Sequence, residues 1–143
     1  MAADNIPAAI SELRLSGESP SLEAEYRGGQ CHVFELSFKD RESLAIRVPL
    51  YMRNDEKIRA LEQEVQILQI LEAKRFPWAP KCHGYSLTFD NPIKHPFVAL
   101  TWVAGSQLRW GDKFPPQPMR DRVLAQMASI QLSLVQCTLE SGT

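Results

Sequence analysis

The sequence predicts an α+β domain in which antiparallel strands are layered against a helix. Three observations carry this. Short segments of alternating apolar character come in hairpin-spaced pairs, a long segment with three-and-four apolar spacing follows the third of them, and strands do not alternate one-for-one with helices as a parallel βαβ sheet requires. The expected order is three strands, one helix, two strands, a linker and a last helix.

The first pair is "LEAEYRGGQCHVFELSFKD", where Gly28-Gly29 separates two segments of strand character. In the second segment Phe34, Leu36 and Phe38 alternate with Val33, Glu35 and Ser37, so one face is core. Lys39-Asp40-Arg41-Glu42 is a charged turn. A third strand, "SLAIRVPL", follows and ends at Pro49, which cannot donate to a ladder. Leu44, Ile46 and Val48 share one of its faces, leaving Ala45 and Arg47 on the other. Asn54 or Asp55 caps the next element and Glu56 complements its dipole. Ile58, Leu61, Val65, Leu68 and Leu71 then draw an apolar stripe down a helix from about Asp55 to Ala73. Pro77 and Pro80 in "RFPWAP" break it. "KCHGYSLTF" and "HPFVALTWV" form a second strand pair across the turn-rich "DNPIK". After a linker, Met119 to Thr138 reads as an amphipathic helix through Val123, Met127, Ile130, Leu134 and Cys137.

Bulk properties narrow the function classes. A chain of 143 residues with 44% hydrophobic and 23% charged residues is neither a disordered nor a membrane composition. A net charge of -1 gives no electrostatic case for nucleic acid as a partner. No apolar stretch approaches the ~18 residues of a membrane span, and "MAADNIPAAI" lacks a basic segment followed by a long apolar one. The expected location is therefore the cytoplasm. Three cysteines, Cys31, Cys82 and Cys137, with no C-x-x-C spacing suit reduced thiols, and no metal site is expected from the two Cys-His dipeptides. Residues 1 to 20 are expected to be a polar, flexible lead-in.

The order of these elements, read with its residues, resembles the nucleotide-binding N-lobe of the protein-kinase-like superfamily. It is closest to the aminoglycoside phosphotransferase and choline-kinase-like branch, and in particular to fungal phosphotransferase family proteins. The resemblance implies a five-stranded antiparallel sheet with one packed helix over residues 21–103. Residues 104–143 would then be the exit from a hinge and the first helix of a truncated C-lobe.

The individual residues carry it as follows. In "GGQCHVF" the backbone at Gly28 and Gly29 would cover nucleotide phosphates, and Val33 would roof the adenine. By itself a glycine pair makes only a hairpin. "LAIRV" resembles the family's V-A-I-K strand, with Ala45 and Arg47 in the cleft-facing places. An arginine there keeps the charge but replaces a compact point charge by a planar fork. On its own, an arginine on a half-buried strand needs no ligand. Glu64 in "EVQILQIL" stands where the family's helix glutamate holds that cation, although most helix glutamates are simply solvated. "LTWVAGSQL" resembles the hinge, which would make Leu100 the gatekeeper and give the base hydrogen bonds from Thr101 C=O and Val103 N–H.

The resemblance implies ATP and Mg2+ as cofactors, and transfer of the γ-phosphate to a small-molecule hydroxyl in a full-length relative. The catalytic-loop Asp, its partner Asn and the later metal-binding Asp are missing after the hinge, so no residue is assigned a catalytic role and little nucleotide contact is expected. The alternative is a non-catalytic interaction module that associates through the helix 119–138.

Overall fold

The computed structural model describes residues 1–13 and 20–140. They form two compact units, one of Met1–Ile70 with Pro80–Val103, the other of Leu71–Ala79 with the chain from Ala104 onward.

The first unit is built on a five-stranded antiparallel sheet. Its strands are β1 (Ser21–Arg27), β2 (Cys31–Ser37), β3 (Leu44–Pro49), β4 (Cys82–Ser86) and β5 (Phe97–Thr101), in spatial order β1-β2-β3-β5-β4. The α+β class and the strand count agree with the sequence reading. Two helices belong to this unit's layers. The short α1 (Ile6–Glu12) follows a 3-10 turn at Ala3–Asn5, and the long α2 (Asn54–Ala73) follows β3.

Strand alternation assigns each face a cover. Phe34, Leu36, Leu44, Ile46, Val48, Phe97 and Ala99 point to one face and are buried with Ile6, Ala9 and Ile10 of α1 and with Ile93. The opposite face packs Val98, Leu100 and half-buried Ala45 against Leu61, Val65 and Leu68 of α2. β5 is covered on both sides, which is why "FVAL" is an uninterrupted apolar run.

The lead-in departs from its expected flexibility. Ile6, Ala9 and Ile10 recur at three and four residue steps, and all three are core residues. Two hydrogen bonds tie the segment to the connection between β4 and β5: Ala2 N–H donates to Ile93 C=O at 2.9 Å, and the Asn5 amide donates to Pro92 C=O at 3.0 Å. A seven-residue helix is too short to hold itself together in water, so its order comes from this docking rather than from propensity. Residues 14–19 of the same expectation lie outside the described residues.

The β4–β5 connection is organised by Asn91, whose amide lies within hydrogen-bond distance of Ser86 Oγ, Thr88 C=O and His95 C=O, while its Oδ1 accepts from Ile93 N–H at 3.0 Å. Beside it the Lys57 ammonium is buried, 3.4 Å from Asn54 Oδ1 and 3.3 Å from His95 Nε2, with its charge 5.9 Å above the Phe89 ring. Burial, the Lys57 charge and the chain's amino terminus together hold the His95 pKa below its ordinary value.

In the second unit α3 (Gln117–Glu140) is the long element. Arg120 secures its start: Nε donates to Pro115 C=O at 2.7 Å, Nη2 donates to Phe114 and Gly111 carbonyls, and the guanidinium lies 4.9 Å over the Trp110 ring. Of the expected stripe, Val123, Ile130 and Cys137 are half-buried while Met127 and Leu134 are exposed.

The His95 environment sets a pH dependence. Because the fold disfavours its protonation, the unfolded chain binds that proton more readily, and stability is lost as pH falls through the ordinary histidine range, about 6.5, toward the lower folded value. Urea midpoints measured from about pH 7.5 to 5.5 fall in the wild type, and His95→Gln makes the fall shallower.

Candidate functional site

Register across the first three strands places three side chains in one row. Tyr26 pairs with Val33 and Val33 pairs with Arg47. The hairpin that sets this row is tight: Gly28 N–H donates to Cys31 C=O at 2.8 Å, and a Cβ on Gly28 would stand 3.1 Å from that same oxygen. Gly29 has open space around it. A cleft of about 480 Å³ lies at this turn, lined by Gly28, Gly29, Gln30 and Cys31 and by Tyr26, Arg27, Val33 and Arg47 from the strands.

Arg47 answers the question its sequence context poses. Strand parity turns it away from Leu44, Ile46 and Val48 and onto the face that α2 covers. There Glu64, one helical turn after the buried Leu61 and next to the buried Val65, reaches back and forms an ion pair with Nη1. Both side chains keep partial exposure, 41% for Arg47 and 26% for Glu64. Burial disfavours the guanidinium charge, but Glu64, with Cys31 on its other flank, outweighs it and raises the Arg47 pKa. The result is a fixed cation with its fork on the cleft.

The nine candidate residues separate into two groups. Gly28, Gly29, Val33 and Arg47 line one cleft, with Glu64 bound to Arg47. Ala45 and Leu100 face each other across β3 and β5 and pack with α2, where Leu100 is only 8% exposed, so neither opens onto that cleft. Thr101 is engaged with β4 and the residue before it: its N–H donates to Lys81 C=O, and its hydroxyl accepts from Lys81 N–H and lies 2.9 Å from His83 Nε2. Val103 ends the unit with its side chain in solvent. Sequence reasoning gave no site role to Tyr26, Arg27, Gln30 or Cys31, which line the cleft, or to Trp102, whose ring lies 5.7 Å from that of Tyr26 at an angle of 35°. The signal was present, since a two-residue loop at Gly29-Gln30 fixes Tyr26 opposite Val33.

A wider hollow of about 620 Å³ lies in the second unit along Ser106 to Arg109 and Phe114. It is a loop surface on which Arg109 is the one charged side chain among the described lining residues. Among the described residues, no group of three or more metal-ligating side chains occurs.

Comparison with known proteins yields distant relatives of one kind. The chain is 25% identical over 89 residues to "Altered inheritance of mitochondria protein 9, mitochondrial" of Meyerozyma guilliermondii, covering 62% of this chain and 15% of the relative. The protein of the same name from Vanderwaltozyma polyspora is 23% identical over 125 residues, 80% of this chain and 19% of the relative. That from Candida albicans is 23% identical over 110 residues, with shares of 75% and 18%. The chain thus spans less than a fifth of the length of these curated relatives. No protein-family model matches the chain, and no solved structure matches it.

These relatives correct three expectations. None is named as an aminoglycoside phosphotransferase, a choline-kinase-like protein or any other kinase, so the family resemblance and the phosphotransferase function drawn from it are overturned. Their names carry the mitochondrion, which overturns the cytoplasmic placement; the fungal part of the resemblance agrees with their yeast origin. The physical source of the error lies in the motifs. Each is a short solution to a common packing problem, a tight hairpin or a paired cation under a helix, and such solutions recur on unrelated chains.

A double-mutant cycle tests the pair at the centre of the cleft. With both groups partly exposed, Arg47→Ala and Glu64→Gln should couple by about 0.5–1 kcal/mol in urea denaturation. A coupling indistinguishable from zero would show that the carboxylate does not hold the guanidinium.

Proposed function

We propose that the sheet unit binds a nucleoside triphosphate, holding its phosphates over Arg47 beneath the Gly28-Gly29 turn. The observation that carries this reading is the placement of Arg47: a permanent cation, fixed by Glu64, in a concave site beneath a tight glycine turn whose backbone can approach an anion closely. A planar guanidinium can offer two parallel donors to a phosphate, which a solvated surface arginine does without orientation. ATP with its Mg2+ fits as a class, the metal arriving on the phosphates. Affinity is modest, about 0.1–1 mM, since the two cations that line the cleft, Arg47 and the exposed Arg27, are each already paired with a carboxylate. The names of the yeast relatives favour the mitochondrion as the compartment in which this binding operates.

Isothermal titration with Mg-ATP tests it. The wild type binds, higher salt weakens binding, and Arg47→Ala weakens it at least tenfold, as expected for losing a charge-assisted contact. Equal affinity in Arg47→Ala would overturn the assignment.

One observation supports a second, independent activity. No charged residue stands between Arg122 and Glu140, and Leu124, Met127, Leu132, Leu134, Val135 and Leu139 are all exposed on α3. A helix apolar over so much of its circumference belongs in a packed interior. We propose that α3 associates with α3 of a second copy, since its stretch between Arg122 and Glu140 carries no charge and pairs with itself without like-charge repulsion. Sedimentation velocity should show dimers or larger closed assemblies that the pair Met127→Lys and Leu134→Lys dissociates. A monomer at concentrations typical of weak oligomers, on the order of 100 µM, excludes it.

A further inference from the structure

We propose that Tyr26, backed by Trp102, is the surface on which the base of the bound nucleotide stacks, and that the site therefore accepts purine nucleotides without separating adenine from guanine. This rests on the nucleotide-binding reading above and extends it from the phosphates to the base.

Tyr26 lines the cleft, yet its large ring stays 52% exposed. Tyr26, near the end of β1, belongs to neither core cluster, and its ring contact is with Trp102 alone among the described aromatic pairs. Trp102, in the segment that follows β5, meets it at a centroid distance of 5.7 Å and a tilt of 35°, inside the range of favourable aromatic pairs. Trp102 is itself half-buried and anchored through its N–H to Ser43 C=O at 3.2 Å, so it fixes the Tyr26 ring from behind. It is a positioning residue; Tyr26 is the one that would touch ligand.

Spacing supports the pairing of ring and cation. Tyr26, Val33 and Arg47 form one row across β1, β2 and β3. Two interstrand steps separate the ring's strand from that of the guanidinium, about 9.5 Å. An extended nucleotide bridges a gap of this order between its base and its outer phosphates. The apolar Val33 lies under the middle of that span, where the sugar would rest.

The side chains of the row itself, Tyr26, Val33 and Arg47, offer no paired donor and acceptor to a base edge, and the other polar lining side chains, Arg27 and Gln30, flank the turn at the phosphate end. The N–H groups of Thr101 and Trp102 donate to Lys81 C=O and Ser43 C=O, and the Thr101 hydroxyl is engaged with Lys81 N–H and His83. Stacking tolerates any base with a sufficient π-face, and purines present the larger one. Discrimination between adenine and guanine would need hydrogen bonds to their edges, whose loss is what makes an enzyme reject a near-isostere.

Titrations with Mg-ATP, Mg-GTP and Mg-tripolyphosphate separate this inference from the reading beneath it. ATP and GTP should bind within about threefold of each other and about tenfold more tightly than tripolyphosphate, the gain of one stacked base. Tyr26→Leu should bring both nucleotides to the tripolyphosphate level while leaving tripolyphosphate itself unchanged. Tyr26→Phe should keep the wild-type pattern, and Trp102→Leu should fall between. If tripolyphosphate binds as tightly as ATP to the wild type, stacking is wrong while phosphate binding survives. A preference for ATP over GTP of more than about tenfold overturns base indifference. Failure of all three ligands to bind removes both readings together.

Discussion

Strand β3 is covered on both faces, and that double cover decides where its arginine goes. One face is committed to the core with α1, through Leu44, Ile46 and Val48, each essentially inaccessible. An arginine placed there would be a buried charge without a partner, at a cost of several kcal/mol. Parity sends Arg47 to the other face, and α2 covers that face as well. The charge then survives only because it sits at the margin of the helix contact, where solvent still reaches it and Glu64 can pair with it. The glycine hairpin sets the row in which Arg47 stands, and the register of α2 brings Glu64 to it.

The same arrangement explains which parts of the fold the sequence made legible. β2 and β3 alternate cleanly because each separates a core side from a half-exposed side, and α2 shows its stripe because only one of its faces meets the sheet. Those elements could be read from periodicity. α1 could not, for a different reason. Its three core residues, Ile6, Ala9 and Ile10, have helical spacing, but the helix is too short to be persuasive and is ordered by hydrogen bonds to Pro92 and Ile93, far away in sequence. Tertiary docking of that kind leaves no local mark.

The site divides along the same line. Gly28, Gly29, Val33 and Arg47 are joined by a hairpin and an antiparallel register, both local, and they do meet in one cleft. Ala45, Leu100, Thr101 and Val103 depended on a borrowed template for the passage out of β5. In this chain Leu100 closes the α2 contact and Thr101 turns to Lys81 and His83, so their side chains serve the sheet. What a template supplies beyond local geometry is the least transferable part of it.

Seen this way, the Arg47–Glu64 pair says less about ancestry than it first suggests. Any cation at the edge of a helix-covered strand needs a carboxylate, and the covering helix is the nearest place to supply one. A pair demanded by solvation can arise on any chain with this layering, so it does not by itself mark a kinase. Tyr26 is different. Half of its ring stands in water beside the cation, and packing does not ask for it. A lone exposed aromatic is ordinary. One that lies in register with a fixed guanidinium, is backed by a second ring and opens onto a cleft adds no more to the fold than that one ring pair, and that makes it the more informative residue about what the cleft holds.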